Sequence, residues 1–459
     1  MGTYTAKYAN FFSRNFSNTI EILYLSAKLI TMKNFVLSIL TLLVAVAFSS
    51  CRAKKEVEQP QTHSSIITIG TEALATIYNP TTTTIHPKIF VKKNNPQDID
   101  LYVIINDSEL LFPAATNKAK VRIFYKIMES YEELALIDSA QKVLTIDKSA
   151  TPKTYAVKMH VKPVELEKFV IQTTVTDVIR GKMNISFIDV DRNDILDVSN
   201  FNVTKVENSQ PYSEYYVKPS EMLRIDYYNS NYPSVYKTVL PPFEEIPLPP
   251  YASDPAEDDT THYNIDEVLK KSFLIGNAQE DFIYYFRPDS AINRGFAMPC
   301  FSEDYPNVTS LKDIVKPLAY LTTPEEYNNI KNAEHKKLAI DDFWYSCTKD
   351  SKRAKELIRV FYTRAIFANM YFADYRQGML TDRGMVYIVL GPPKILAINS
   401  ESEIWTYKDT RSGRKIRFVF RRVKSSFSGV EYVLRRSTEL KTNWDAAVSS
   451  WRKGNIYTW

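Results

Sequence analysis

Between residues 99 and 189 apolar and polar side chains alternate in short runs, each closed by Asn, Asp, Pro or Gly, and this restricts the fold more than anything else in the chain. Side chains of an extended strand point to opposite faces in turn, so alternation puts one face in a core and the other in water. Six strands are predicted, at 99–105, 120–127, 142–146, 155–161, 169–176 and 183–189. In the second, Val121, Ile123, Tyr125 and Ile127 fall on one side, with Arg122 and Lys126 on the other. The last two runs, joined by Val178-Ile179-Arg180-Gly181-Lys182, read as a closing hairpin. Strands of this length and spacing predict an immunoglobulin-like β-sandwich over residues 66–190.

A second β region is expected over 191–240, with strands at 202–206, 215–217, 223–228 and 235–239. It is short of strands for independent stability, so it docks on the first sandwich or recruits later segments. Prolines at 241, 242, 247, 249, 250 and 255 follow, and six acids lie between 244 and 259 with no base. Proline fixes φ and donates no hydrogen bond, so 241–262 reads as an extended, solvated acidic linker. Residues 263–307 add strand-like pieces at 272–275 and 282–286, a small β insertion.

From 308 to 459 the pattern becomes α+β. Thr323 is placed to cap a helix that Pro324 begins. Leu357, Phe361, Ala365, Ala368 and Phe372 recur at helical spacing within a long helix over 351–375. Asp382-Arg383-Gly384 then reads as a turn, 385–390 as a short buried strand, and Gly391-Pro392-Pro393 as its stop. Runs at 402–408, 415–423 and 430–434 predict an antiparallel meander. The fold class is therefore multidomain, an N-terminal all-β immunoglobulin-like region followed by a C-terminal α+β domain.

The N-terminus points to export. Met32-Lys33-Asn34 precedes an apolar stretch over 35–48 and then Ser49-Ser50-Cys51. A basic start, an apolar segment too short to cross a bilayer and small residues before the cut describe a secretory signal, with Met32 as the expected true start. Phe48-Ser49-Ser50-Cys51 resembles a bacterial lipobox, which implies a lipid on Cys51 as the mature N-terminus. Residues 1–50 are then the signal region, and 51–65 a polar, lipid-proximal tether. Removing Lys7, Arg14, Lys28 and Lys33 against Glu21 lowers the net charge from +5 to about +2, which gives no support to nucleic-acid binding. The expected location is the outer membrane, lipid-anchored and facing the periplasm, with exposure at the cell surface as the alternative. Cys300 and Cys347 either pair there or remain buried thiols.

The five histidines, His63, His86, His160, His262 and His335, have no metal-ligand spacing, and no phosphate loop or nucleophile elbow occurs. No catalytic residue, metal or cofactor is expected on these grounds. Asp382 beside Arg383 could bind an anion or polarise a substrate. The structural alternative has Thr381 and Asp382 satisfying turn amides while Arg383 pairs with a helix acid such as Asp374. Residues 408–424 hold eight bases, and Arg414, Lys415, Arg417, Arg421 and Arg422 are candidates for contact with an anionic surface, unless alternation makes them a plain solvated face.

Gly378-Met379-Leu380-Thr381-Asp382-Arg383-Gly384 resembles the motif of GWxTD-domain proteins, and the likeness continues through Val386 to Gly391 and Pro392 and on to Trp405-Thr406-Tyr407. Met379 stands where the family has tryptophan. The resemblance implies a lipoprotein of the Bacteroidetes type and no established reaction. Together these observations predict a binding or scaffold module in envelope assembly or secretion, with a protein partner in the envelope and the membrane reached through Cys51. The alternative is an envelope enzyme with its site near Asp382 and Arg383.

Overall fold

In β3 (Lys118–Met128), Ala119, Val121, Ile123, Tyr125 and Ile127 are fully buried while Lys118, Lys120 and Arg122 are exposed. The computed structural model describes residues 74–457 apart from 82–84, 134, 152, 163, 230, 254–262, 409–414 and 428. The signal region, Cys51, the tether and Arg414 lie outside the described residues.

β3 sits between β4 (Asp138–Asp147) and β6 (Lys168–Asp177), and β7 (Lys182–Asp191) completes this sheet. A second antiparallel sheet of β1 (Lys88–Asn95), β2 (Asp98–Asn106) and β5 (Thr154–Val161) covers it. Leu101, Val103 and Val157 meet Ile123, Tyr125 and Ile171 in one core, each contributing about 1.5–3 kcal/mol by burial. β1 escapes the sequence reading because Lys92 and Lys93 interrupt its alternation. Both lysines are buried: Lys92 reaches the Val203 carbonyl of the next sandwich, and Lys93 the Asp194 carbonyl in the connection to it.

A second sandwich follows. β8 (Phe201–Lys205), β9 (Leu223–Tyr227) and β12 (Ser272–Ile275) form one sheet. β11 (Glu267–Lys270), β10 (Ser234–Leu240), β13 (Ile283–Arg287) and β14 (Phe296–Pro299) form the other. Counted from its own first strand, each sandwich has the same strand orders, 1-2-5 facing 4-3-6-7, so one topology occurs twice in succession without a sequence repeat to announce it. Strands predicted on either side of the proline-rich stretch thus pair in one sheet, β10 with β13, and β10 also pairs with β11, which the sequence reading did not include. Of the second region's predicted strands, 215–217 is instead a single bridge, Val217 to Cys300.

The proline-rich stretch is the β10–β11 connection, and its described part, 241–253, is a strap across the C-terminal domain rather than a solvated linker. Phe243 packs edge-on against Tyr375 at 5.1 Å, and Glu244 pairs with Lys312 and Lys316 at 2.9 and 3.2 Å. Further along, the Pro250 carbonyl accepts from Ser437 N (2.9 Å).

In the C-terminal domain Thr323 and Glu326 form a reciprocal cap on the Pro324–Lys331 helix. The Ser351–Phe372 helix buries all five residues predicted for its inner face. The Asp382–Leu390 segment is a helix, which corrects the predicted turn and strand. A short apolar run buried on every side has no period to show, and β-branched Val386, Ile388 and Val389 favour a strand only where tertiary packing does not decide otherwise. Thr381 Oγ1 caps it by accepting from Gly384 N (3.1 Å). At the other end Gly391 takes φ +83°, while Arg364 donates to the Ile388 and Val389 carbonyls. β15 (Ile395–Ile398), β16 (Ser402–Lys408), β17 (Lys415–Lys424) and β18 (Val430–Leu434) form the expected meander. Cys300 and Cys347 are buried and free.

Candidate functional site

The two sandwiches and the C-terminal domain meet around a cleft of about 650 Å³. The first sandwich contributes His86, Lys88, Glu109 and Tyr131, the second Lys205, Tyr212, Glu214 and Glu221. Tyr371, at the end of the long helix, joins Glu403 of β16 and Tyr432 of β18 from the C-terminal domain, with Tyr78 beside them.

Charges in the wall are matched in pairs. Lys88 lies 3.2 Å from Glu214, and Lys205 lies 3.2 Å from Glu221, which also accepts from the Tyr212 hydroxyl (2.5 Å). His86 Nδ1 meets Glu109 Oε1 at 3.1 Å, and the other oxygen of Glu109 accepts from His86 N (2.8 Å). A carboxylate only accepts, so Nδ1 carries the proton and the ring orientation is fixed. His86 Nε2 and the Tyr371 hydroxyl are buried with no partner among the described residues. Burial, with Glu109 adding to it, pushes the Tyr371 hydroxyl well above the usual phenol range.

Glu403 forms the floor. Only 1% exposed, it accepts from Trp405 Nε1 (2.5 Å), Tyr78 Oη (3.3 Å) and Arg383 Nη1 (3.4 Å). Arg383 also lies over the Tyr432 ring at 3.6 Å and the Phe372 ring at 5.0 Å. Its partner is therefore Glu403 and not Asp374, which pairs with Arg376 (2.8 Å). Asp382 turns the other way. It pairs with Arg436 at 2.6 Å and accepts from Leu434 N (2.8 Å), a contact across the fold instead of a local turn amide. The two motif charges are thus separately neutralised, and Arg383 stands one layer behind the cleft, supporting two of its lining residues.

The motif glycines are fixed by contact distance. A Cβ on Gly378 would stand 2.1 Å from the Ala368 carbonyl oxygen, and one on Gly384 1.9 Å from that of Gly378. Met379 is fully buried; its N–H donates to Asn369 Oδ1 (2.9 Å) and its carbonyl accepts from Tyr320 Oη (2.6 Å). A segment with the family's spacing thus forms a helix start welded onto the preceding long helix. The sequence pattern of the GWxTD domain matches residues 282–453.

The chain carries a GWxTD domain.

No curated protein matches the chain. Among solved structures, similarity extends to Bacteroides uniformis beta-glucuronidase 2 covalently bound to cyclophellitol-6-carboxylate aziridine, at 17% identity and TM-score 0.16 over 22% of this chain and 12% of that one. A putative beta-galactosidase from Bacteroides fragilis is 14% identical, TM-score 0.17, over 29% and 19% of the two chains. The chain spans less than a fifth of either enzyme, and likenesses this low carry no argument.

The predicted basic surface is divided. Lys415, Arg417 and Arg421 share the outer face of β17 in the GWxTD domain, opposite buried Ile416, Phe418 and Phe420. Arg422 has the opposite parity: it stacks on Tyr131 at 4.6 Å and pairs with Asp189 of the first sandwich. Arg421 and Arg422 cannot serve one surface. Outside the cleft, Asp98, Asp100 and His160 bring potential metal-ligand atoms within 4.8 Å of one another. The Lys158 ammonium lies 2.6 Å from Asp100, which also accepts from Asn94 (2.8 Å), so the cluster is already neutralised as an ion pair. Burial works against the Asp100 charge, but Lys158, Asn94 and His160 outweigh it and hold the carboxyl below its ordinary value.

Sequence reasoning missed the cleft because its residues come from positions 77 to 432, and no local spacing links them. His86 was visible only as a scattered histidine.

Proposed function

We propose that this GWxTD-domain protein is a binding module of the cell envelope, held to the outer membrane through lipid on Cys51, and that the cleft among its three units receives the ligand or partner segment. One observation carries the reading: among the described residues, aromatic and polar side chains of both sandwiches and the C-terminal domain converge on one cleft of about 650 Å³, and a junction of units is a common setting for ligand sites. The internally paired charges of the wall favour an occupant of little net charge. The alternative of an enzyme at Asp382 and Arg383 lacks such support, because both residues are bound in ion pairs within the fold.

The test is a pull-down from native membranes with the C-terminally tagged full chain, a Cys51→Ala control and a Ser186→Trp variant that fills the cleft. Ser186 lines the cavity from β7. Recovery of one defined envelope component that both substitutions abolish, at an unchanged melting temperature, supports the proposal. Recovery of the bait alone from the membrane fraction overturns the stable-partner reading.

A further inference from the structure

The β6–β7 end of the first sandwich carries an apolar tip. Val178 (41% exposed) and Ile179 (39%) form the turn between β6 and β7, Met183 (46%) follows, and Leu111 (36%) stands beside them. This tip is firmly built. The Asp177 carboxylate, fully buried, accepts from Leu111 N (3.0 Å), Ile179 N (3.1 Å) and Arg180 N (3.1 Å), locking the two loops together. Gly181, at φ +68°, closes the turn.

Cations ring the tip. Arg180 and Lys182 belong to the hairpin, Lys118 and Lys120 to the adjoining start of β3, whose Lys120 carbonyl accepts from Val178 N (2.9 Å). The acids nearby are spent: Asp177 on backbone amides, Asp107 on Lys153 N (2.8 Å) and Asp147 on Lys118 (2.9 Å). The second sandwich provides an internal comparison, because it has the same topology. Its corresponding hairpin, 288–295, carries Asp289, Ser290 and Asn293 with one exposed apolar residue, Ile292 (37%), its Arg294 pairs with Asp194, and Gly295 N ties it to the Ser426 carbonyl (3.0 Å). The topology therefore does not require the three exposed apolar residues, Val178, Ile179 and Met183, of the first sandwich's hairpin.

We infer that this tip docks on a bilayer surface, with Leu111, Val178, Ile179 and Met183 entering the interface while Arg180, Lys182 and Lys120 meet anionic headgroups. Apolar burial combined with juxtaposed bases is the general recipe for interfacial attachment. The tether can reach. Leu74, Ala75 and Tyr78, at the start of the described chain, pack in the core of the C-terminal domain, and Tyr78 and Glu109 line the same cleft. From there back to Cys51 is a span that reaches about 80 Å at most when fully extended. The surface is distinct from the β17 bases and adjoins the cleft, since Arg180 donates to the carbonyl of cleft-lining Glu109.

A nitroxide on Ile179→Cys in the full chain, bound to vesicles of phosphatidylethanolamine with a minority of phosphatidylglycerol, tests this. The label is placed in a Cys51→Ala background, and Cys300 and Cys347 are buried and do not compete for it. Leu274→Cys, on the second sandwich and 57% exposed, is the control. The label at 179 is expected to be shielded from a water-soluble nickel chelate and reached by oxygen, while that at 274 stays aqueous. Arg180→Glu with Lys182→Glu should weaken immersion about tenfold or more, since each base near an anionic surface is worth roughly a fivefold change. Equal aqueous access at 179 and 274, or immersion indifferent to the charge reversal, overturns the inference.

Discussion

Asp341 is buried in the Lys336–Thr348 helix, its Oδ1 has no partner among the described residues, and burial pushes its carboxyl up to about 6 against the help of Lys337. A carboxyl whose folded pKa exceeds its unfolded value binds more protons in the native state. Stability should therefore fall as pH rises from about 4 through 6, and Asp341→Asn should remove that slope and raise neutral-pH stability by about 1–3 kcal/mol, read from melting curves across pH. Asp382 is the opposite case. Its pair with Arg436 is almost fully buried, at 11% and 4% side-chain exposure, so Asp382→Asn should cost about 3 kcal/mol by leaving the guanidinium unpaired. A lost phenotype with an unchanged melting temperature would contradict this and return Asp382 to the chemistry. At this scale the sequence offered a structural reading of the motif charges but not their partners, since Glu403 and Arg436 lie 20 and 54 positions away.

The motif helix shows how two neighbouring motif positions in one element differ in cost. Thr381→Ala removes one capping hydrogen bond and should cost about 1 kcal/mol. Gly384→Ala sets a methyl against the Gly378 carbonyl at a distance no packing tolerates, and should cost several times as much or prevent folding. Urea denaturation of both variants checks the order; equal losses would show that the contact with Gly378 relaxes freely. The element itself was legible in position, length and stop, but not in type. Where one side of a segment faces water, as in β3 or the Ser351–Phe372 helix, the period was visible and the prediction correct. Where every side is buried, as from Met385 to Leu390, the sequence carried no such mark.

Across the whole molecule the joints use charged and aromatic residues that the strand pattern does not explain. Lys92 crosses from β1 to donate to the Val203 carbonyl (2.9 Å) of the second sandwich, and burial lowers its ammonium to about 8, partly opposed by Asp226. A lysine with a depressed folded pKa is penalised while charged. The penalty is present below about 8 and is relieved as pH rises towards 10.5, so stability should increase over that window, and Lys92→Met should abolish the increase. Differential scanning calorimetry at several pH values reads this directly. The strap at 241–253 joins the second sandwich to the GWxTD domain through Phe243 and Glu244. Phe243→Ala should loosen that joint, seen as faster amide exchange in both flanking units with the first sandwich unaffected.

What the sequence determined by itself was local: alternation that makes strands, spacing that makes the long helix, capping residues, the family motif, and the class of fold that follows from them. Tertiary structure alone decided the rest. It paired strands from both sides of a proline-rich stretch into a second copy of the first sandwich, turned Arg422 away from Arg421, made a helix of an apolar run, and gathered His86, Glu221, Tyr371 and Glu403 around one cleft. The physical reason is the same throughout. Periodicity records which side of an element is buried, but what buries it comes from segments distant in the chain, and no pattern within a window of residues can name them.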